Sequence, residues 1–191
     1  MKNPEFRLVV LISGNGSNLQ AIINAIQQDQ LDAKIVLVVS NKAAAFGLER
    51  AHKANIATKI LPDKDYPTRE AYDIALKEII EHYKPDLIIL AGFMRILSAS
   101  LVRHFKDKII NIHPSLLPKY KGLNTHQRVL EAGDKIHGVT VHYVTDELDG
   151  GPIIAQASLE VAATDTAEEL KVKIHQLEHE LYPKVIQALK K

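Results

Sequence analysis

The chain has no cysteine, which excludes disulfides and thiolate metal sites. It has almost no net charge, +1 from 24 Lys and Arg against 23 Asp and Glu. The electrostatic footprint of a protein that binds DNA, RNA or an anionic membrane is therefore missing. No apolar run reaches the length of a membrane-spanning helix. Internal repeats, low-complexity tracts and linker-like stretches are absent too. Met1-Lys2-Asn3-Pro4-Glu5 leads directly into a strand pattern without a signal-peptide signature, so a cytoplasmic protein is expected. The 191 residues, 46% of them apolar, suit one domain, 1–191, with a sizeable core.

What is present is an alternation of buried-strand and helix patterns. Arg7 to Ile12 is an unbroken apolar run, as in a strand covered on both faces. Ser17 to Gln28 follows at helical spacing through Leu19, Ile22, Ile23 and Ile26, with Ser17 as cap or first-turn residue. A strand over Lys34–Val39, a short helix over Phe46–Lys53 and a strand over Ala57–Leu61 come next. Thr68–Tyr83 reads as a helix whose stripe is Tyr72, Ala75, Leu76, Ile79, Ile80 and Tyr83. A strand over Asp86–Ala91, a helix over Ser98–Phe105 and a fifth strand over Lys108–Ile112 complete the alternation, which predicts a parallel sheet with right-handed crossovers.

Beyond Pro114 the pattern changes. A loop to about Thr125 and a short helix to Glu131 precede two strands, Val139–Val144 and Pro152–Val161. Their short, turn-rich connection predicts antiparallel pairing. The last helix, Ala167–Leu189, has Leu170, Ile174, Leu177, Leu181 and Val185 as its expected core stripe.

Ile109-Ile110-Asn111-Ile112-His113-Pro114 is the most informative stretch. Period-two alternation points Asn111 and His113 to one face at the C-terminal end of a strand, where ligands bind in open α/β sheets. An amide donor beside an imidazole suits carbonyl chemistry: the amide can meet a developing oxyanion and the imidazole can move a proton. A loop-capping Asn with a satisfied His is the plain alternative.

Gly14-Asn15-Gly16-Ser17-Asn18-Leu19 falls between a strand and a helix, as an anion-binding turn does. Leu19 replaces the third glycine of a dinucleotide fingerprint, the second strand ends in Ser40-Asn41-Lys42 without an acid, and there is no P-loop lysine. The turn therefore reads as a seat for one phosphate monoester, or as a tight turn with two permissive glycines. Asp146, Glu147 and Asp149 precede Gly150-Gly151, either as solvated turn acids or as a carboxylate source beside His113. His175-Gln176-Leu177-Glu178-His179 fits a short zinc-peptidase pattern. It lacks an obvious third ligand, so a polar strip hydrogen-bonding a sugar is the better reading and no metal is expected.

In order, Val9-Val10-Leu11-Ile12-Ser13-Gly14-Asn15-Gly16-Ser17-Asn18-Leu19-Gln20, Ser40-Asn41-Lys42, Ala91-Gly92-Phe93-Met94-Arg95-Ile96-Leu97, Asn111-Ile112-His113-Pro114-Ser115-Leu116-Leu117-Pro118 and Asp146-Glu147-Leu148-Asp149-Gly150-Gly151-Pro152 closely resemble the phosphoribosylglycinamide formyltransferase family. The resemblance covers essentially the whole chain, and the Ser-Gly-Asn-Gly-Ser-Asn turn is its most discriminating piece. It implies a Rossmann-like three-layer α/β/α sandwich with a mostly parallel sheet of about seven strands, antiparallel toward its C-terminal part. It also implies formyl transfer from 10-formyltetrahydrofolate, a co-substrate, to the amine of glycinamide ribonucleotide in purine biosynthesis.

The resemblance assigns Asn111, His113 and Asp149 to catalysis. It places the phosphate at Gly16, Ser17 and Asn18 and the ribose at Glu178, with His175 at the sugar side. The folate is expected along Met94, Arg95, Ile96 and Leu97, Asn111, and the Thr145, Asp146, Glu147, Leu148 and Asp149 loop, with Arg69 near its polar end. Asn124 receives no role, and the family leaves a homodimer open.

Three alternatives are weighed. A formyltetrahydrofolate hydrolase usually carries an extra N-terminal domain, whereas this first strand begins at Arg7. A methionyl-tRNA formyltransferase usually needs a C-terminal nucleic-acid-binding domain, and the neutral charge argues against one. A non-catalytic phosphate-binding module would not need Asn111, His113 and Asp149 together.

Overall fold

The apolar run near the start of the chain becomes the centre of the sheet. In the computed structural model, which describes residues 5–190, β1 (Arg7–Ile12) pairs in parallel with β2 (Lys34–Ser40) on one side and β4 (Leu87–Leu90) on the other. β3 (Thr58–Ile60) extends the sheet beyond β2, and β5 (Ile109–His113) lies parallel to β4. β6 (Ile136–Tyr143) and β7 (Ile153–Glu160) complete it as antiparallel strands. The order β3-β2-β1-β4-β5-β6-β7 matches the expected architecture. Residues 1–4, part of the leader read from the sequence, lie outside the described residues.

Both faces of β1 are dry. Leu8, Val10 and Ile12 pack into one cluster with α1 (Ser17–Gln27), α2 (Phe46–Lys53) and α6 (Ala167–Leu189). Val9 and Leu11 pack into another with α3 (Arg69–Tyr83) and α4 (Ala99–His104). This explains why the run does not alternate: each face has its own helical layer. Burying such side chains contributes roughly 1.5–3 kcal/mol each. A smaller cluster of Val129, Val139, Leu170 and Ile174 lies under α5 (Thr125–Ala132).

The helix boundaries follow local chemistry. Thr68 and Ser98 accept hydrogen bonds from Ala71 N–H and Leu101 N–H as the N-caps of α3 and α4, so each helix begins one residue later than its periodicity suggests. Thr166 and Glu169 form a capping box that opens α6.

Two expectations shift. β6 begins at Ile136 rather than Val139, because Ile136, His137 and Gly138 pair with Glu160, Leu159 and Ser158 of β7; the glycine that interrupts the apolar pattern sits where a side chain would run into Ala157 O. The core stripe of α6 is also rotated. Leu170, Ile174 and Val185 are buried as expected, but Glu178, Tyr182 and Ile186 complete the stripe, while Leu177 and Leu181 are only half-buried. Apolarity alone cannot anticipate a carboxyl and a phenol on a core face.

Tyr182 earns that position. Its hydroxyl proton faces the carbonyls of Leu90 (2.9 Å) and Ile110 (3.2 Å), tying α6 to the ends of β4 and β5. Complete burial pushes the phenol well above its usual range, so the group remains a neutral donor. Tyr182→Phe should destabilise the fold by about 1–3 kcal/mol, the cost of stripping a buried donor from its acceptors. A lowered urea midpoint with unchanged slope would register it.

Candidate active site

β5 and β6 build the first half of the site. Their antiparallel register places Asn111 opposite His142 and His113 opposite Thr140, so all four side chains share one face. Asn111 Nδ2 lies 3.3 Å from His142 Nε2, and His142 Nδ1 lies 2.9 Å from Tyr143 O. The carbonyl can only accept, so Nδ1 carries the proton and Nε2 accepts from the Asn111 amide. Burial pushes the His142 pKa down, which agrees with that neutral tautomer. The second N–H of Asn111 is left for another acceptor.

Asp149 reaches this pair from the loop after β6. One carboxylate oxygen is 3.4 Å from His113 Nδ1 and the other is 3.7 Å from His142 Nε2. The side chains of His113 and Asp149 are only 7% and 8% exposed. The Asp149 backbone is left-handed, with φ +48°, a conformation that Asp tolerates better than most residues. The carboxylate also accepts from Gly122 N–H at 2.9 Å.

The 114–124 loop folds onto the same residues. Tyr120 O lies 2.9 Å from His113 Nε2, so both ring nitrogens face oxygen acceptors, an arrangement suited to a ring carrying two N–H donors. Buried Thr140 anchors the start of this loop, donating to Ser115 O at 2.7 Å and accepting from Leu117 N–H at 3.0 Å. Lys121 pairs with Glu147 at 2.6 Å, joining the two loops. Asn124 occupies a left-handed position that caps α5.

The glycine turn forms a second centre. Gly16 has φ +72°, and a Cβ there would approach Gly47 Cα to 2.7 Å, so the turn requires glycine in both shape and space. Gly16 is the N-cap of α1 without a side-chain cap, which leaves first-turn N–H groups around Ser17 and Asn18 without side-chain partners. Asn18 donates to Glu178 at 2.9 Å across the interface with α6. Burial raises the Glu178 pKa to about 7, only partly offset by Asn18. Asn18 Oδ1 and His179 Nε2 are buried without a partner. His175 stacks on His179 with ring centres 6.1 Å apart. A groove of about 450 Å³ between α1, α2 and α6 opens beside Ser17, with Arg50, His179 and Lys184 on its walls.

The remaining expected residues form a rim. Met94, Ile96 and Leu148 are 70%, 56% and 50% exposed, an apolar surface on the loops that follow β4 and β6, while Leu97 is buried. Arg95 turns inward, its guanidinium 4.1 Å over the Tyr72 ring and 3.3 Å from Asp63. Asp146 pairs with Arg103 of α4 at 2.6 Å. Thr145 donates to Glu147 O at 3.4 Å within its own loop. Arg69 is exposed at the start of α3, and among the described residues no hydrogen bond or ion pair joins it to Asn111, His113 or Asp149.

The structure thus brings Asn111 and His113 together with Asp149, and Asn18 together with Glu178. Sequence reasoning missed His142, Thr140 and Tyr120 O. The first two are on the strand predicted to be antiparallel, and a register count from Asn111 would have found them.

A Rossmann-like sheet with an amide, an imidazole and a carboxylate at one edge, and a glycine-lined helix start after its first strand, suits chemistry at a carbonyl carbon, and the family match makes the class a transferase. The chain belongs to the formyl transferase family, whose model matches residues 6–186. It is 54% identical to phosphoribosylglycinamide formyltransferase of Escherichia coli (strain K12) over 179 residues, 94% of this chain and 84% of that protein. It is 47% identical to the trifunctional purine biosynthetic protein adenosine-3 of Bos taurus over 96% of this chain, though it spans only 18% of that much longer protein. Among solved structures, phosphoribosylglycinamide formyltransferase from Coxiella burnetii superposes with a TM-score of 0.92 at 55% identity, covering 96% of this chain and 86% of that one.

Two buried groups predict opposite pH responses. His126 Nδ1 and His137 Nε2 are 3.0 Å apart, and burial lowers both pKa values from 6.5 to about 4. The unfolded chain therefore binds more protons between these values, so this contribution to stability is complete above pH 6.5 and is lost as pH falls toward about 4. His137→Gln should flatten that acid limb in urea titrations between pH 7 and pH 5. Glu178 has the reverse sign: its folded pKa is raised from 4.5 to about 7, so its contribution is present below 4.5 and is lost as pH rises through about 7. Glu178→Gln should accordingly improve relative stability more at pH 8 than at pH 5 in the same titrations.

Proposed function

We propose that the chain is a phosphoribosylglycinamide formyltransferase that moves a formyl group from 10-formyltetrahydrofolate to the amine of N1-(5-phospho-D-ribosyl)glycinamide, in cytoplasmic purine biosynthesis. The observation that carries this reading is the convergence of Asn111, His113 and Asp149 from two distant stretches at one sheet edge. The names of the relatives support the acceptor and the formyl group that is moved.

The residues fit both substrates. The uncapped start of α1 and the Gly16 turn suit a phosphate. The unpartnered Asn18 Oδ1 and the Glu178 carboxyl suit sugar hydroxyls. The exposed apolar side chains of Met94, Ile96 and Leu148 suit a flat heteroaromatic ring. The donor supplies an already activated one-carbon unit; the protein's task is placement and charge.

In the reaction, the substrate amine bonds to the formyl carbon and the bond from that carbon to the folate nitrogen breaks. Asn111 aims its free N–H at the carbonyl oxygen as that oxygen gains negative charge. The hydrogen bond to His142 keeps the amide oriented, so little reorganisation is needed. His113, whose Nε2–H is held by Tyr120 O, turns its Nδ1–H to the same oxygen and hands that proton to the departing nitrogen, and the proton the amine sheds as it acylates restores the imidazolium. Asp149 stabilises the charged imidazole and fixes its plane. Tyr120 O and Gly122 N–H hold the two groups in register.

His113→Ala and Asp149→Asn should each lower kcat by about 10²–10⁴-fold, the usual worth of a positioned proton donor, while nucleotide affinity is retained. Steady-state turnover together with calorimetric titration of the nucleotide checks both. Full turnover in either variant, or release of formate in place of formylated nucleotide by the unaltered protein, would refute the reading.

A further inference from the structure

The turn after β1 and the loop after β4 leave the sheet where its strand order reverses, and Ser13 ties them together through both its side chain and its backbone. Met94 N–H donates to Ser13 Oγ at 2.7 Å. The Ser13 hydroxyl in turn donates to Asn41 Oδ1 at 2.6 Å, at the end of β2. Ser13 N–H donates to Gly92 O at 3.1 Å. The hydroxyl therefore accepts from one loop and donates to another, so its position follows that of the turn and sets that of Met94 N–H. The 92–97 loop has a second, separate anchor, where Asp63 and Tyr72 grip the Arg95 guanidinium. Of the two anchors, only Ser13 belongs to the turn that continues into Gly14, Asn15 and Gly16.

We infer that Ser13 is a positioning residue that couples the two substrate sites, so that filling the glycine turn tightens binding along the 94–97 loop, and the reverse. The inference rests on the reading that the phosphate takes Gly16–Asn18 and the folate takes the 94–97 loop. A phosphate that stills the turn also stills Ser13 Oγ, and through it Met94 N–H. The second ligand then meets a loop that is already ordered. Such coupling is reciprocal by linkage.

The test uses tetrahydrofolate, which binds without turnover, and glycinamide ribonucleotide. Each is titrated calorimetrically into the full chain, alone and with the other saturating. In the unaltered protein each ligand should tighten the other by about 5-fold or more. In Ser13→Ala that ratio should fall to about one, with the thermal midpoint held. Ser13→Thr, which keeps a hydroxyl, should restore the ratio. Arg95→Lys should weaken tetrahydrofolate binding and leave the ratio intact. If Ser13→Ala does not fold, Asn41→Ala carries the same comparison, because it frees the hydroxyl to turn away from Met94. An unchanged ratio in Ser13→Ala, or no coupling in the unaltered protein, overturns this inference while the functional reading stands. Absence of any nucleotide binding to the unaltered protein overturns both.

Discussion

The antiparallel seating of β6 beside β5 is the constraint on which the site depends. Every strand from β1 to β5 runs the same way, so their loops alone would bring ligands to one edge without placing a histidine opposite Asn111. Reversal at β6 adds a strand whose side chains stand beside those of β5 residue for residue. A slip of one residue would turn His142 and Thr140 to the other face. The amide would then lose its partner, and the loop after β5 would lose the hydroxyl that holds Ser115 and Leu117. The reversal also starts the Asp149 loop beside the base of β5, where Val144 N–H donates to Ile109 O at 2.9 Å. That loop must then run back along the strand, which brings its carboxylate to His113.

Burial is used differently at the two centres. At the sheet edge the near-dry side chains are all partnered: Asn111 by His142, His113 by Tyr120 O and Asp149, and Asp149 by Gly122. Polar groups held this way need little rearrangement to meet a charge that develops beside them. Around α6 and the glycine turn, by contrast, burial is left incomplete in its pairing. Asn18 Oδ1 and His179 Nε2 have no partner, and Glu178 is held by a single amide against a desolvation that favours its neutral form. Unmet hydrogen-bonding capacity of this kind is a cost to the empty protein and an affinity reserve for a polar ligand.

Most of the fold was legible because β1, β2 and β4 are apolar on both faces and α1 and α3 keep helical spacing; those patterns follow directly from layers on each side of a sheet. The Asn111–His113 pair was legible because period-two alternation is a local rule. Asp146, Glu147 and Asp149 were together a candidate carboxylate source beside His113, but only the resemblance singled out Asp149, since nothing local distinguishes it from the other acids of the turn. Its left-handed backbone and the reach of Gly122 are tertiary facts. The core stripe of α6 was misread for a related reason. Reading Leu177 and Leu181 as core ignored that a carboxyl can occupy a core face when Asn18 meets it, and that Tyr182 can do so when two strand carbonyls accept its proton. Arg95 shows the same limit: nothing in its motif signals that the ring of Tyr72 and the carboxylate of Asp63 draw its side chain into a clamp.

The placement of Glu178 and Tyr182 one helical turn apart on α6 has a consequence for biosynthesis of the protein itself. Translation delivers all seven strands before this helix, so the phenol that joins β4 to β5 and the carboxyl that faces Asn18 become available only after every strand they serve has been made. The tie between β4 and β5 and the closing of Asn18 against α6 are therefore made by one and the same docking event.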